Sequence, residues 1–166
     1  MSSSARFDEL KKKFDENPRR YFAPLANEFR KTGDAEQAVM ICEEFLPQQP
    51  GHMSGHIVYG QALFDLGRLD DARTVFETAL TLDPENLIAL RHLGDIARGQ
   101  GDLEAARRWY ERAAENGESD AMFNLGLLIR HSEPVAAVGW FERAAQAGHV
   151  VARRLLEESH SESSGR

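Results

Sequence analysis

The stretch GQALFDLGRLDDARTVFETALTLDP, residues 60–84, sets a pattern that much of the chain repeats. Its small, turn and ring residues stand at fixed offsets: Gly60, Gly67, Ala72, Phe76, Ala79 and Pro84. The same ladder occurs 34 residues earlier as Ala26, Gly33, Ala38, Cys42, Phe45 and Pro50, and 34 residues later as Gly94, Gly101, Ala106, Tyr110 and Ala113. Repetition at this period is typical of solenoids built from helix pairs.

The composition favours helices and limits the classes of partner. The 166 residues suffice for one domain, and their net charge of -7 argues against non-specific binding of nucleic acid or anionic membrane. Cys42 is the only cysteine, so no intrachain disulfide can form, which fits a reducing compartment. The N-terminus lacks the apolar core of a signal peptide, and no run is long enough to span a membrane. We therefore expect a cytoplasmic protein.

Turn and capping residues divide the chain into repeats. Gly33 suits the left-handed conformation after a helix, and Asp34 can cap the helix that follows. We predict disorder over 1–4, a capping helix over 5–17, repeats over 19–52, 53–86, 87–118 and 119–148, a second capping helix over 149–158, and a disordered tail over 159–166. In the last helix, Val151 and Leu155 are expected to be buried, with Leu156 as a further candidate.

The recurring small residues predict how the helices of each pair pack. Ala26, Gly60 and Gly94 are placed where the first helix of a pair crosses the second, because a larger side chain would hold the axes apart. A ring, or Cys42 in the first pair, fills the space beside that contact. Trp109 and Trp140, at helical spacing, are interpreted as core aromatics.

The chain resembles the tetratricopeptide repeat family over about Arg19 to Gly117. From Ala105 onward it is similar to Sel1-like repeats, whose W-Y/F-x-R-A-A-x-x-G run is matched at Trp109 to Gly117 and again at Trp140 to Gly148. Ala26, Cys42 and Phe45 depart from the usual residues. The resemblance implies an all-α, right-handed α-solenoid of about four antiparallel helix pairs with capping helices. It also implies an interaction scaffold that holds a peptide or helix of a partner in the concave groove.

The exposed side of each first helix supplies the candidate groove. Its residues are Asn27, Arg30, Ile57, Gln61, Phe64, Arg91, Asp95, Arg98, Asn124 and Arg130. The arginines favour an acidic or carboxylate-bearing peptide, because guanidinium groups bind carboxylates in a bidentate way. They are equally typical of a solvated helix face. The carboxylate clamp known in this family for chaperone tails is matched only at Asn27, so we do not expect that ligand.

The sequence offers no catalytic centre. It contains no HExxH, P-loop or GxSxG motif, and we expect neither a cofactor nor a metal. His52 and His56 share a helix face but lack further ligands nearby, and His92 is interpreted as a surface residue. The leading hypothesis is a non-enzymatic adaptor for a protein or peptide. The alternative is a structural module that acts through homo-oligomerisation, and an engineered or fused chain is a further interpretation.

Overall fold

The computed structural model describes residues 3–164, with side chains from 5 to 159. The helices in that range are α1 Ser3–Glu16, α2 Pro18–Lys31, α3 Ala35–Phe45, α4 Met53–Asp65, α5 Leu69–Leu82, α6 Leu87–Gly99, α7 Leu103–Glu115, α8 Ser119–Ile129, α9 Pro134–Gln146 and α10 Val150–Ser164. A 3₁₀ turn, Leu46–Gln48, follows α3, and no strand occurs among these residues. The all-α class that the sequence predicts is confirmed.

The chain forms two compact units, Met1–Pro84 and Glu85–Arg166. In the first unit, α2 pairs with α3 and α4 pairs with α5, while α1 packs on α2. In the second unit, α6 pairs with α7 and α8 with α9, and α10 packs on α9. Within each unit, successive helices are therefore joined by short turns and stacked as repeated pairs.

The turns inside the first and third pairs follow the predicted chemistry. Gly33 has a φ of 93°, a left-handed conformation that a residue with a side chain seldom adopts. The Asp34 carboxylate then accepts a hydrogen bond from the Gln37 backbone N–H at 3.1 Å, which caps α3 as expected. Asp102 caps α7 in the same way through the Ala105 N–H at 2.9 Å.

Glycines mark the close approach of the two helices in three pairs. A Cβ atom at Gly60 would lie 2.7 Å from the Phe76 ring, and one at Gly94 would lie 2.5 Å from the Tyr110 ring. Gly126 stands in the same relation to Phe141, at 2.6 Å. The ring of the second helix therefore occupies the space of the missing side chain. The first pair has Ala26 and Cys42 at these positions, so a methyl group is combined with a smaller partner.

The interpretation of Trp109 and Trp140 as core aromatics is wrong. Both are only half-buried, whereas the residues that follow them, Tyr110 and Phe141, belong to the core. One residue along a helix is a rotation of about 100°, which takes each indole off the buried face. There the Arg112 and Arg143 guanidinium groups lie 5.4 and 4.2 Å from the respective Trp109 and Trp140 ring centroids.

The terminal helices are longer than the sequence suggests. α1 begins at Ser3, so residues 3 and 4 are helical, and α10 continues to Ser164, so the disorder expected over 159–164 is wrong. An Arg154–Glu158 pair at 2.9 Å, one turn apart, stabilises the part of α10 that precedes this extension. Met1, Ser2 and residues 165–166 lie outside the described range.

The buried face of α10 also differs from the prediction. Val151 and Leu155 are exposed, while Ala152 is fully buried and Leu156 is half-buried. The helix packs on α9 along a stripe rotated by one residue from the one expected. Its Val151 and Leu155 stripe remains uncovered within the described part of the chain.

Cys42 provides a test of the core of the first unit. Its thiol is fully buried, and burial, followed by the nearby Glu43 charge, raises its pKa to about 12. Because the unfolded thiol ionises above its ordinary value of 9.0, this group favours folding less and less between pH 9.0 and about 12. At pH 8 we expect Ellman's reagent to modify native Cys42 at least about 100-fold more slowly than the urea-unfolded chain. Comparable rates would contradict the packing described.

Candidate peptide-binding groove

A cleft in the first unit lies among α1, α2 and α4. It has a volume of about 290 Å³ and is lined by Arg6, Leu10, Ala23, Pro24, Asn27, Ser54 and Val58. Of the predicted groove residues, Asn27 lines this cleft. The cleft lies beside α2 and α4, the first helices of the two pairs in this unit, and α1 forms its third wall.

Asn27 and Arg30 are held together beside this cleft. Arg30 donates from Nε and Nη2 to Asn27 Oδ1, each at 3.3 Å, and from Nη1 to Asp65 Oδ2 at 3.0 Å. The Arg30 side chain is only 20% exposed. It therefore links α2 to the end of α4 and fixes the orientation of the Asn27 amide.

α4 presents a narrower open face than the sequence predicts. Ile57 is predicted to line the groove, but it is 7% exposed and belongs to the core. Of the residues of α4, Ser54 and Asp65 are exposed, and Gln61 lies between them at a spacing of about whole turns. Gln61 and Phe64 are half-buried, in keeping with residues at the edge of a groove.

Asp95 organises the corresponding face of the second unit. Its Oδ1 accepts hydrogen bonds from the Tyr110 hydroxyl at 2.5 Å and from Asn124 Nδ2 at 3.3 Å, while its Oδ2 accepts one from Arg91 Nη1 at 3.4 Å. Burial and the Asp95 contact raise the pKa of Tyr110 above its ordinary value, so the phenol remains a donor. One carboxylate thereby joins α6, α7 and α8.

Further carboxylates surround Arg91. Its Nε lies 3.8 Å from Glu118 Oε1 and 4.0 Å from Asp120 Oδ2. Glu118 also caps α8 by accepting from the Ala121 N–H, and burial raises the pKa of this carboxyl. Arg91 is consequently embedded in acidic groups of its own chain.

The four arginines of the predicted row fall into two kinds. Arg30 and Arg91 are mostly covered and paired with Asp65 and Asp95. Arg98 is 43% exposed, with its Nη2 3.8 Å from Asp95, and Arg130 is exposed at the end of α8, where it donates to His131. Asp65 and Asp95 therefore neutralise half of the row. Asp95 lies one turn from Arg91 on α6, whereas Asp65 reaches Arg30 from the next first helix, which a reading of one helix face at a time does not detect.

His52 and His56 both make hydrogen bonds to the backbone of their own segment. His52 Nδ1 accepts from the Gly55 N–H and caps α4, while His56 Nε2 donates to the Pro50 carbonyl at 2.7 Å. His92, expected at the surface, is buried at 8% exposure because it lies between the core residues of α6. No cluster of three or more potential metal ligands occurs among the described residues.

His149 connects the second unit's polar cluster to α10. Its ring stacks on Phe123 with centroids 4.3 Å apart, its Nε2 lies 3.5 Å from Asp120 Oδ1, and its Nδ1 accepts from the Ala152 N–H.

We expect His149→Ala to lower the free energy of unfolding by about 1 kcal/mol in urea titrations, through loss of the cap. His149→Asn keeps a capping acceptor and should recover at least half of that loss. Equal losses in both variants would contradict the capping role.

Two models of known protein families match this chain. The tetratricopeptide repeat model matches residues 24–86 and 57–121, and the Sel1 repeat model matches residues 119–149. These matches cover more than half of the chain. The chain therefore belongs to the tetratricopeptide repeat family and carries a Sel1 repeat toward its C-terminal end.

The chain is also similar to individual proteins and solved structures. The chain is 37% identical over 95 residues to "Probable biofilm formation methyltransferase WspC" of Pseudomonas putida, covering 57% of this chain but only 22% of WspC. It therefore spans less than a quarter of this curated relative. The fold resembles TTC0263, a thermophilic tetratricopeptide repeat protein of Thermus thermophilus, with a TM-score of 0.79, 17% identity, and coverage of 95% and 89% of the two chains. It also resembles YrrB, described as having an unusual peptide-binding site, with a TM-score of 0.69, 19% identity, and coverage of 86% and 77%.

None of the helices in residues 3–164 combines the length and the apolar character that crossing a bilayer requires.

Proposed function

We propose that this chain is a non-enzymatic interaction module that binds an extended peptide or a helix of a partner protein along its first helices. The observation that carries the proposal is the cleft among α1, α2 and α4. Members of the family generally mediate protein–protein interactions, and YrrB is described as having a peptide-binding site. The similarity to WspC involves a small part of that protein, so it does not extend to methyl transfer.

The cleft offers contacts suited to a peptide. Leu10, Ala23 and Val58 provide apolar surface for a side chain. Asn27 Oδ1 is engaged by Arg30, while Asn27 Nδ2 donates no hydrogen bond within the described part of the chain. That amide is therefore oriented to donate to a peptide carbonyl. At the rim, the Nε of Arg6 lies 3.8 Å from Glu28 Oε2, and the Arg6 side chain is 63% exposed. Because of this exposure, its guanidinium group is accessible to an acidic side chain of the ligand.

A pair of tryptophan substitutions tests the proposal. Ser54 is exposed and lines the cleft, so Ser54→Trp should fill it without disturbing the core. Met40, an exposed residue of α3 that does not line the cleft, gives a control, Met40→Trp. In affinity capture from a lysate of the source organism, the partner should decrease at least about tenfold with Ser54→Trp and remain with Met40→Trp. Retention with Ser54→Trp would place the binding surface elsewhere.

Self-association is the second candidate function. It is favoured by exposed apolar residues on α9 and α10 in the second unit, among them Val135 at 87% exposure and the Val151 and Leu155 stripe. Burying such surface against a second copy would release water and favour a dimer. Light scattering should then give twice the monomer mass, and Leu155→Glu should restore the monomer. A monomer at a concentration of about 100 µM would contradict this candidate.

A further inference from the structure

A second cleft in the first unit lies on the other side of α4. It has a volume of about 380 Å³ and lies among α3, the 3₁₀ turn, α4 and α5. His56 and Tyr59 face it, whereas Ser54 and Val58 face the cleft described above. At about 100° per residue these pairs lie on opposite sides of the helix, so the two clefts are separate sites.

The walls of the second cleft are mainly apolar. Leu46, Pro47 and Pro50 form one side, and Val75 lies on the other. His56 donates to the Pro50 carbonyl at 2.7 Å, which holds the proline wall against α4. The volume lies near the lower end of the range typical of ligand sites, about 300–1,000 Å³. It accommodates one large side chain rather than a whole helix.

A fixed negative charge stands at the edge of this apolar space. Tyr59 donates to Glu43 Oε1 at 3.0 Å, and burial together with this bond raises the pKa of Tyr59 to about 12, so the phenol keeps its proton. Glu43 Oε2 makes no hydrogen bond within the described part of the chain, and Glu43 is exposed. The carboxylate is therefore oriented by Tyr59 and still accessible to a cation.

The surroundings of the cleft are acidic as well. No lysine or arginine occurs from Ala35 to Gly67, a segment that contains Glu36, Glu43, Glu44 and Asp65. The two helices that form the outer walls, α3 and α5, together carry six acidic residues and one basic residue. Such a surface attracts a cationic partner and repels a second copy of a chain whose net charge is -7.

We propose that this second cleft binds one aromatic or aliphatic side chain of a partner peptide that carries lysine or arginine next to it. The apolar side chain enters between the proline wall and Val75, and the cation pairs with Glu43 at the rim. This site is independent of the proposed function of the first cleft. It would give the chain two peptide sites of opposite charge preference on opposite sides of α4.

Three capped hexapeptides test the site by ¹⁵N chemical-shift titration of the full chain at 0.15 M salt. The first has one phenylalanine flanked by lysines, the second has glutamate in place of lysine, and the third has serine in place of phenylalanine. We expect the first to shift the amides of Glu43, Tyr59 and Thr78 saturably, with a Kd at least about fivefold lower than that of the second. The third should cause no saturable shift. Equal binding of the first two, or no shift from the first, would overturn the proposal.

Two variants at exposed positions locate the binding. Glu43→Gln should weaken the lysine peptide by about threefold to fivefold and leave the glutamate peptide no weaker. Thr78→Trp should abolish the shifts, whereas Ser54→Trp should preserve them. Since Glu43→Gln scarcely changes side-chain volume, it keeps the test valid even if Thr78→Trp disturbs folding. A wild-type dimer that Thr78→Trp converts to a monomer would assign the cleft to a second copy and overturn the proposal.

Discussion

Replacing Tyr110 with alanine is expected to lower the free energy of unfolding by about 4 kcal/mol, the usual range for deleting a buried aromatic ring. Tyr110 is fully buried, fills the space opposite Gly94, and donates to Asp95. The substitution would leave a cavity between α6 and α7 and remove a hydrogen bond from the Asp95 carboxylate. Urea titrations followed by circular dichroism measure the loss.

Tyr110→Phe separates the two contributions. It keeps the ring against Gly94 and removes only the hydroxyl that donates to Asp95. We expect a loss of about 1 kcal/mol, because Arg91 and Asn124 still contact the carboxylate. If Tyr110→Phe were as damaging as Tyr110→Ala, the hydrogen bond rather than the packing would dominate, contrary to this account.

Replacing Gly94 with alanine is expected to destabilise the second unit by about 2 kcal/mol or more, even though alanine is the better helix former. The new Cβ would lie 2.5 Å from a Tyr110 ring carbon, so either the ring or the helix axis must shift. Gly99, on the same helix, has nothing within 4 Å of its Cβ position. Gly99→Ala should therefore leave stability unchanged or raise it by up to about 1 kcal/mol.

The first pair suggests how that clash is relieved. There the corresponding residues are Ala26 and Cys42, both fully buried. In a Tyr110→Cys background, Gly94→Ala should therefore cost almost nothing, and the double variant should be at least about 1 kcal/mol more stable than the two separate losses predict. Additive losses would show that the two positions are not coupled through the ring.

Local periodicity is enough to predict the helices and their contacts within a pair. Repetition alone predicts that the helices of a pair cross at Gly60, Gly94 and Ala72, because the two helices of each pair cross at the same repeat positions. The phase of a side chain on its helix is less well determined. The pattern places both Trp109 and Tyr110 in the core, whereas only Tyr110 is fully buried, and it assigns Ile57 to the groove although Ile57 is buried. For the tryptophan, one residue of rotation decides the outcome.

The electrostatics of the groove depend on contacts that the pattern does not contain. The arginine row is inferred from one face of each first helix, whereas Asp65 reaches Arg30 from the next first helix of the same unit. Likewise Glu118 and Asp120 reach Arg91 from the start of α8. The repeat pattern does not predict the second cleft, because its walls come from four separate segments. The sequence signal that could have indicated it is the absence of basic residues from Ala35 to Gly67.

The central claim is that the cleft among α1, α2 and α4 holds a partner peptide. The most direct test places a photo-crosslinking amino acid at Ser54, which lines that cleft, and separately at Met40, an exposed residue of α3 that lines neither cleft. After irradiation in a lysate of the source organism, mass spectrometry identifies the crosslinked peptides. We expect the crosslinker at Ser54 to capture a defined segment of one partner that the crosslinker at Met40 does not capture. Crosslinks from Met40 alone, or the same set from both positions, would contradict it.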